Sequence, residues 1–187
     1  MNKMYEVINE LSRQVEKRYG EGLFLPSSNW IPDKISEFKT NPELVNWFGL
    51  GFSDLPDYEI LSPDKVVDAQ IRIREDHQDL TDNEGNPLCW GDIVPAANGL
   101  QYCESVSVWP DDWIPIATSR EGRSVIFVDL MPAKGGTVGQ VVHAAEMTLG
   151  VVGKSITDWL VRISNAVENG LFHDDVFFVM ESEIRNK

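Results

Sequence analysis

The feature that most constrains the fold of this sequence is an unbroken apolar run, Val-Ile-Phe-Val, at residues 125–128. β-branched and aromatic side chains favour strands, and a strand that is apolar at every position has to be covered on both of its faces. The run therefore predicts the central strand of a sheet, with apolar layers above and below it.

Other segments of the chain supply candidate neighbours for this strand. Apolar residues alternate with period two at residues 105–108 and around Ile114 and Ile116, and a further strand is predicted over residues 138–145. Residues 119–122, Ser-Arg-Glu-Gly, are typical of a hairpin turn. The middle of the chain is thus predicted to be rich in antiparallel strands.

Two terminal stretches carry the pattern of amphipathic helices. The first has apolar residues at steps of three and four before Gly20, and it predicts a helix over about residues 3–19: Met4, Ile8, Leu11, Val15 and Tyr19. The second begins at Ser155, a capping residue, with Asp158 at the third helical position, as in a capping box. It predicts a helix over about residues 155–169.

The segments between these elements are less regular. The triplet Ser-Pro-Asp at 62–64 predicts the start of a helix that runs to about Glu75. Shorter helical turns are predicted from Asp33 and around residues 44–48, and a last strand over residues 176–180.

Length and cysteine usage favour one self-sufficient domain over residues 1–187. A chain of 187 residues buries enough surface to fold without disulfides or a structural metal. Cys89 and Cys103 are 14 residues apart, which matches neither a CxxC motif nor zinc-ligand spacing. We interpret both as small buried apolar residues, the alternative being a disulfide or a reactive thiol.

The charge of the chain limits its partners. Its 16 Lys and Arg against 30 Asp and Glu give a net charge of −14, which repels the phosphates of a nucleic acid. Residues 54–112 hold 14 acidic and three basic side chains, and thus −11 of this charge. No apolar stretch is long enough for a membrane span or for a signal peptide after the N-terminus, so we expect a cytoplasmic protein and no membrane partner.

Motifs of catalysis and of cofactor binding are incomplete. The sequence has no G-x-S-x-G, and residues 150–155 end in Gly-Lys-Ser but place the first glycine two positions too close for a phosphate loop. A calcium loop that begins at Asp79 fails at its sixth position, which is Glu84 instead of glycine. We expect no enzyme activity, no cofactor and no metal.

The segment Trp-Pro-Asp-Asp-Trp at 109–113 has two interpretations. Aromatic rings beside carboxylates combine a large apolar area with charge, as in the hot spots of protein interfaces. The alternative is that one tryptophan is buried and the other half-buried at the start of a strand.

The central motifs, taken together, resemble the SUKH superfamily of Smi/Knr-type proteins. The resemblance lies in W-I-P-I-A at 113–117, a glycine turn at Gly122, V-I-F-V-D-L at 125–130, and then G-G at 135–136 with V-G-Q-V at 138–141. The order of these motifs, with Y-E-I-L-S-P at 58–63 before them and S-I-T-D-W-L at 155–160 after them, is similar to that of the family.

This resemblance implies an α+β fold, with a strongly twisted, mainly antiparallel sheet and helices packed on one side. The signature core would span about residues 105–145. It also implies a non-enzymatic role. Bacterial members are widely immunity proteins that neutralise polymorphic toxins, many of them nucleases, and eukaryotic relatives act in cell-wall and signalling regulation.

The leading hypothesis is an immunity protein that binds a basic toxin domain, because an acidic surface complements the basic substrate cleft of a nuclease. The residues predicted to contact this partner are acidic or aromatic: Glu75, Asp76, Asp79, Asp82, Glu84, Trp109, Asp111 and Asp112. The alternative is a regulatory or scaffold module of the same family without a toxin. An enzyme or a calcium protein that uses the acidic loop is the third hypothesis. The oligomeric state is left open.

Overall fold

The computed structural model describes residues 3–20, 41–50, 58–77, 84, 108–145 and 148–169. Five predicted features lie outside these residues: the helix from Asp33, most of the strand at 105–108, the last strand at 176–180, and both cysteines.

The centre of the structure is a sheet of five strands whose neighbours all pair antiparallel in the order β1-β2-β3-β4-β5. The strands are β1 Tyr58–Ile60, β2 Trp113–Ser119, β3 Ser124–Asp129, β4 Gln140–Ala145 and β5 Thr148–Gly153. The apolar run forms β3, the middle strand, and all six of its residues are buried. The prediction of a central strand covered on both faces is confirmed.

The hairpin between β2 and β3 is also confirmed, because the N–H of Gly122 donates to the carbonyl of Ser119 at 2.9 Å. Gly122 has a φ of 73°, in the left-handed region that favours glycine. The Oγ of Ser119 accepts from the N–H groups of Arg123 and Ser124 at 3.0 Å each, which closes the turn.

Two strands were not predicted from the sequence. β1 is only three residues long. β5 contains Gly150 and ends at Gly153, and glycine is depleted in strands because it has no side chain to pack. Gly153 has a packing role, since a Cβ built there would lie 2.7 Å from the Cβ of Trp159. Its missing side chain lets β5 approach the following helix.

The described residues form four helices: α1 Lys3–Tyr19, α2 Pro42–Leu50, α3 Pro63–His77 and α4 Ile156–Glu168. The predicted bounds of α1 and α4 agree with the structure to within a residue. α3 ends at His77, two residues after the predicted end near Glu75. Residues 71–74, Ile-Arg-Ile-Arg, alternate as a strand would, but they are helical in the structure. α3 stays helical because Val66, Ala69 and Ile73 recur at steps of three and four and are buried.

The two faces of the sheet have separate apolar clusters. The larger cluster contains residues of α1, α2 and α4 together with Ile126 and Val128 of β3. The smaller cluster contains Phe127 of β3, Trp109, Trp113 and Ile73. The α+β architecture is thus as predicted. The expectation that all helices pack on one side of the sheet does not hold for α3, which contributes Val66 to the larger cluster and Ile73 to the smaller one.

The start of α4 is capped by its own residues. The Oγ of Ser155 accepts from the N–H of Asp158 at 3.2 Å, and the carboxylate of Asp158 accepts from the N–H of Lys154 at 2.8 Å. The predicted cap is therefore confirmed, and it follows directly on β5. The Lys-Ser pair at 154–155, which resembles the end of a phosphate loop in the sequence, therefore lies at the N-terminal cap of α4.

A second cap on α4 comes from Glu43 of α2. Its Oε2 accepts from the N–H of Ile156 at 2.8 Å and its Oε1 from the hydroxyl of Thr157 at 2.6 Å. The carboxylate thus pairs two donors in the first turn of α4, where the helix dipole also favours a negative charge.

We expect Glu43→Ala to lower the free energy of unfolding by about 1–2 kcal/mol, because a part-buried N–H and a hydroxyl lose a charged acceptor. Urea denaturation measures the change. Glu6→Ala, an exposed carboxylate in the first turn of α1, is the matched control and should change stability by less than about 0.5 kcal/mol. Equal effects of the two substitutions would contradict the capping role.

Candidate functional site

The tryptophan-rich turn at 109–113 is attached to the core by its two aromatic ends. Trp109 is 1% exposed and Trp113 is 3% exposed. The ring of Trp109 meets those of Trp113 and Phe127 edge-on at centroid distances of 5.2 and 4.8 Å, and Trp113 stacks on Phe127 at 4.5 Å. Trp109 is therefore a core residue, and we do not retain it among the contact residues.

Polar contacts from α3 fix the backbone of the same turn. Gln70 donates from Nε2 to the carbonyls of Asp111 and Trp113 at 3.2 and 3.1 Å. Arg74 donates from Nε to the carbonyl of Trp109 at 2.9 Å. Inside the turn, the indole N–H of Trp109 donates to the carbonyl of Trp113 at 3.0 Å. Side-chain donors thus satisfy the backbone carbonyls of Trp109, Asp111 and Trp113.

The turn presents Asp111 and Asp112 to solvent. Both residues are exposed, and the side chain of Asp111 is 90% accessible although Arg74 donates to its carboxylate. The carbonyl of Asp112 accepts from the N–H of Leu130 at 3.0 Å, which joins the turn to the segment after β3. These two carboxylates are predicted contact residues, and the structure places them side by side on a well-anchored support.

The other predicted acidic residues are less well placed. Glu75 and Asp76 are exposed at the end of α3, directly after Arg74 in the chain. Glu84 is exposed as well, but the residues on either side of it lie outside the described part. Asp79 and Asp82 also lie outside it, and their positions stay a prediction.

A buried polar pair organises the β3–β4 loop, residues 130–139. Asp129 is fully buried, and its carboxylate accepts from the N–H of Met131 and from the Nε2 of Gln140 at 3.0 Å each. The Oε1 of Gln140 accepts from the N–H of Thr137 at 3.2 Å. Both ends of the loop are thus fastened to the same carboxylate–amide pair.

This loop carries exposed apolar side chains that sequence reasoning missed. Met131 is 69% exposed and Val138 is 67% exposed, and Val108, just before the tryptophan turn, is 64% exposed. The sequence pattern assigned Val108 and Val138 to the predicted strands at 105–108 and 138–145, but Val108 is in a bend and β4 begins only at Gln140. The available signal for Met131 was its position before Pro132 in a turn-rich segment. We call Val108, Asp111, Asp112, Met131 and Val138 the end surface, because they belong to the two segments that adjoin one end of the sheet, residues 108–112 before β2 and residues 130–139 between β3 and β4.

Across the ranges that the structure describes, no three His, Cys, Asp or Glu side chains converge as metal ligands would. Within the same ranges, no helix is long and apolar enough to cross a membrane. The end surface is the candidate functional site, because it combines exposed acidic and apolar side chains on a turn and a loop whose backbones are held by hydrogen bonds.

Comparison with known proteins adds no relative. No protein-family model matches the sequence, and no curated protein matches it at a significant level. The resemblance to the SUKH superfamily therefore rests on the sequence motifs at 113–141 and their flanks at 58–63 and 155–160, and it stays a prediction.

Proposed function

We propose that this chain is a non-enzymatic cytoplasmic protein that binds a basic protein through the end surface, and that the partner is a toxin domain which it neutralises. The observation that carries the proposal is the exposure of Asp111 and Asp112 on a turn held to the core by Trp109 and to α3 by Gln70 and Arg74.

A rigid turn suits binding because less conformational entropy is lost when a partner docks. Exposed carboxylates speed the encounter with a basic surface and select against acidic partners. The turn belongs to the segment 54–112, which holds most of the negative charge of the chain. A net negative charge also steers a basic partner toward the chain over long range.

The toxin as partner rests on the SUKH-like motifs, since the bacterial members of that family are widely immunity proteins. The alternative is a regulatory or scaffold module of the same family that uses the same surface on a housekeeping protein. Gene neighbourhood discriminates the two, because an immunity gene is expected beside the gene of its toxin.

The direct test is the binding of toxin domains encoded beside the gene, measured by surface plasmon resonance at two salt concentrations. We expect Asp111→Asn with Asp112→Asn to lower the association rate about tenfold at low salt, and much less at high salt. Glu16→Gln with Glu121→Gln removes the same charge from exposed positions on α1 and on the β2–β3 hairpin and is the control.

Two results would overturn the proposal. If no neighbouring toxin binds at micromolar or better, the immunity role is excluded. If a toxin binds and both double variants slow its association equally, only net charge matters and the turn is not the docking site.

A further inference from the structure

We infer that Met131 and Val138 form the apolar centre of the docking surface, and that the partner presents an apolar patch bordered by Lys or Arg. This inference rests on the proposed function and specifies the partner's chemistry. It adds the apolar residues Met131 and Val138 to the predicted contact residues Asp111 and Asp112 of the turn.

The distribution of exposed apolar residues favours this location. Six large apolar side chains are exposed in the described part of the chain, and single exposed residues of this kind are ordinary. The three most exposed, at 64–69%, all belong to the end surface, whereas the other three are 41–46% exposed and lie on α1 and α3: Tyr5, Val67 and Ile71. Met131 and Val138 lie on the two legs of one loop, so their exposure differs from the scattered exposure of single residues.

The loop geometry keeps these side chains outside. Met131 is the second residue after Asp129 and Val138 the second before Gln140, and these two anchors are paired across β3 and β4. The N–H of Gly139 donates to the carbonyl of Asp129 at 2.7 Å, and Gly139 has a φ of 87°. The two legs of the loop are thus held at a short, fixed separation.

The carboxylates near Met131 and Val138 indicate that the partner carries positive charge beside its apolar patch. The bond between the N–H of Leu130 and the carbonyl of Asp112 places the acidic turn directly beside the leg that carries Met131. Lys134, exposed at the far end of the loop, carries the opposite charge. An apolar centre with carboxylates on one side matches the usual anatomy of interfaces, in which apolar contacts hold the complex and charged groups at the rim orient it.

The first test uses the toxin domain that binds the wild-type chain. We expect Met131→Ser with Val138→Ser to weaken the complex about tenfold or more, through faster dissociation that persists at high salt. Val67→Ser with Ile71→Ser, the same change on exposed residues of α3, should alter the affinity less than twofold. If the toxin binds and the loop variant dissociates as the wild type does, this inference is wrong while the proposed function stands.

The second test needs no natural partner. Two synthetic peptides with the same number of lysines, one with leucines between them and one with serines, are titrated into the full chain and followed by amide chemical shifts. We expect the leucine peptide to bind more tightly and to shift residues 108–113 and 130–139 most. Equal affinities for the two peptides, or shifts centred on α3, would overturn the inference even if no toxin is found.

Discussion

Replacing Trp109 by Ala is expected to lower the free energy of unfolding by about 3–5 kcal/mol, the usual cost of removing a large aromatic side chain from a core. The ring is 1% exposed and contacts the rings of Trp113 and Phe127. Its N–H also pairs the carbonyl of Trp113. Urea denaturation of the purified variant measures the loss.

Trp109→Phe is the informative companion variant, because it keeps an aromatic ring and removes only the indole N–H and part of the volume. Since Gln70 still donates to the carbonyl of Trp113, we expect a smaller loss of about 1–2 kcal/mol. Val108→Ala, at the exposed neighbouring position, should have almost no effect. A loss below about 1 kcal/mol for Trp109→Ala would mean that the tryptophan is not a core residue.

The turn at 109–113 shows which properties of the site can be predicted from the sequence and which cannot. Exposed carboxylates at Asp111 and Asp112 follow from local chemistry, since an unpaired acid is rarely buried. Burial of Trp109 does not, because it depends on the rings of Trp113 and Phe127 and on Arg74 of α3, which is 35 residues away in the chain. Aromatic residues are common both in cores and in interfaces, so both interpretations were open.

The fold was predictable where a signal is local and repeated. The stripe of α1, the cap of α4 and the apolar run of β3 each contain their evidence within a few residues, and each was correct in type and position. β1 and β5 are edge strands of three and six residues that form by pairing with β2 and β4. The short length of β1 and the glycines of β5 leave no local pattern.

The apolar half of the end surface was missed for a related reason. Its members come from three places in the chain. Tertiary contacts, among them the buried pair of Asp129 and Gln140 and the bond from Leu130 to Asp112, set the positions of these segments. A search for charged motifs does not find Met131, a single apolar residue in a turn-rich segment, or Val138, which the sequence pattern assigns to a strand. Exposure, a tertiary property, is what distinguishes them.

His143 is expected to make the protein less stable in mild acid. It lies in β4 between Ile126 of β3 and Gly150 of β5, and its Nε2 atom is fully buried. Burial disfavours the charged imidazolium and lowers the pKa of His143 to about 3, from the ordinary histidine value of 6.5. The unfolded chain therefore binds a proton near pH 6.5, whereas the folded chain does so only near pH 3.

Because the unfolded state binds more protons between these two values, the stability contributed by neutral His143 is complete above pH 6.5 and is lost progressively as the pH falls. The loss at pH 4.5 is on the order of 3 kcal/mol. The carboxylates of an acidic chain titrate in the same range, so the quantity to measure is the difference between the wild type and His143→Gln, whose side chain stays neutral. We expect this difference in unfolding free energy to shrink, or to reverse in favour of the variant, between pH 7.5 and 4.5. Parallel stability curves for the two proteins would mean that the imidazole is protonated in the fold as readily as in the unfolded chain.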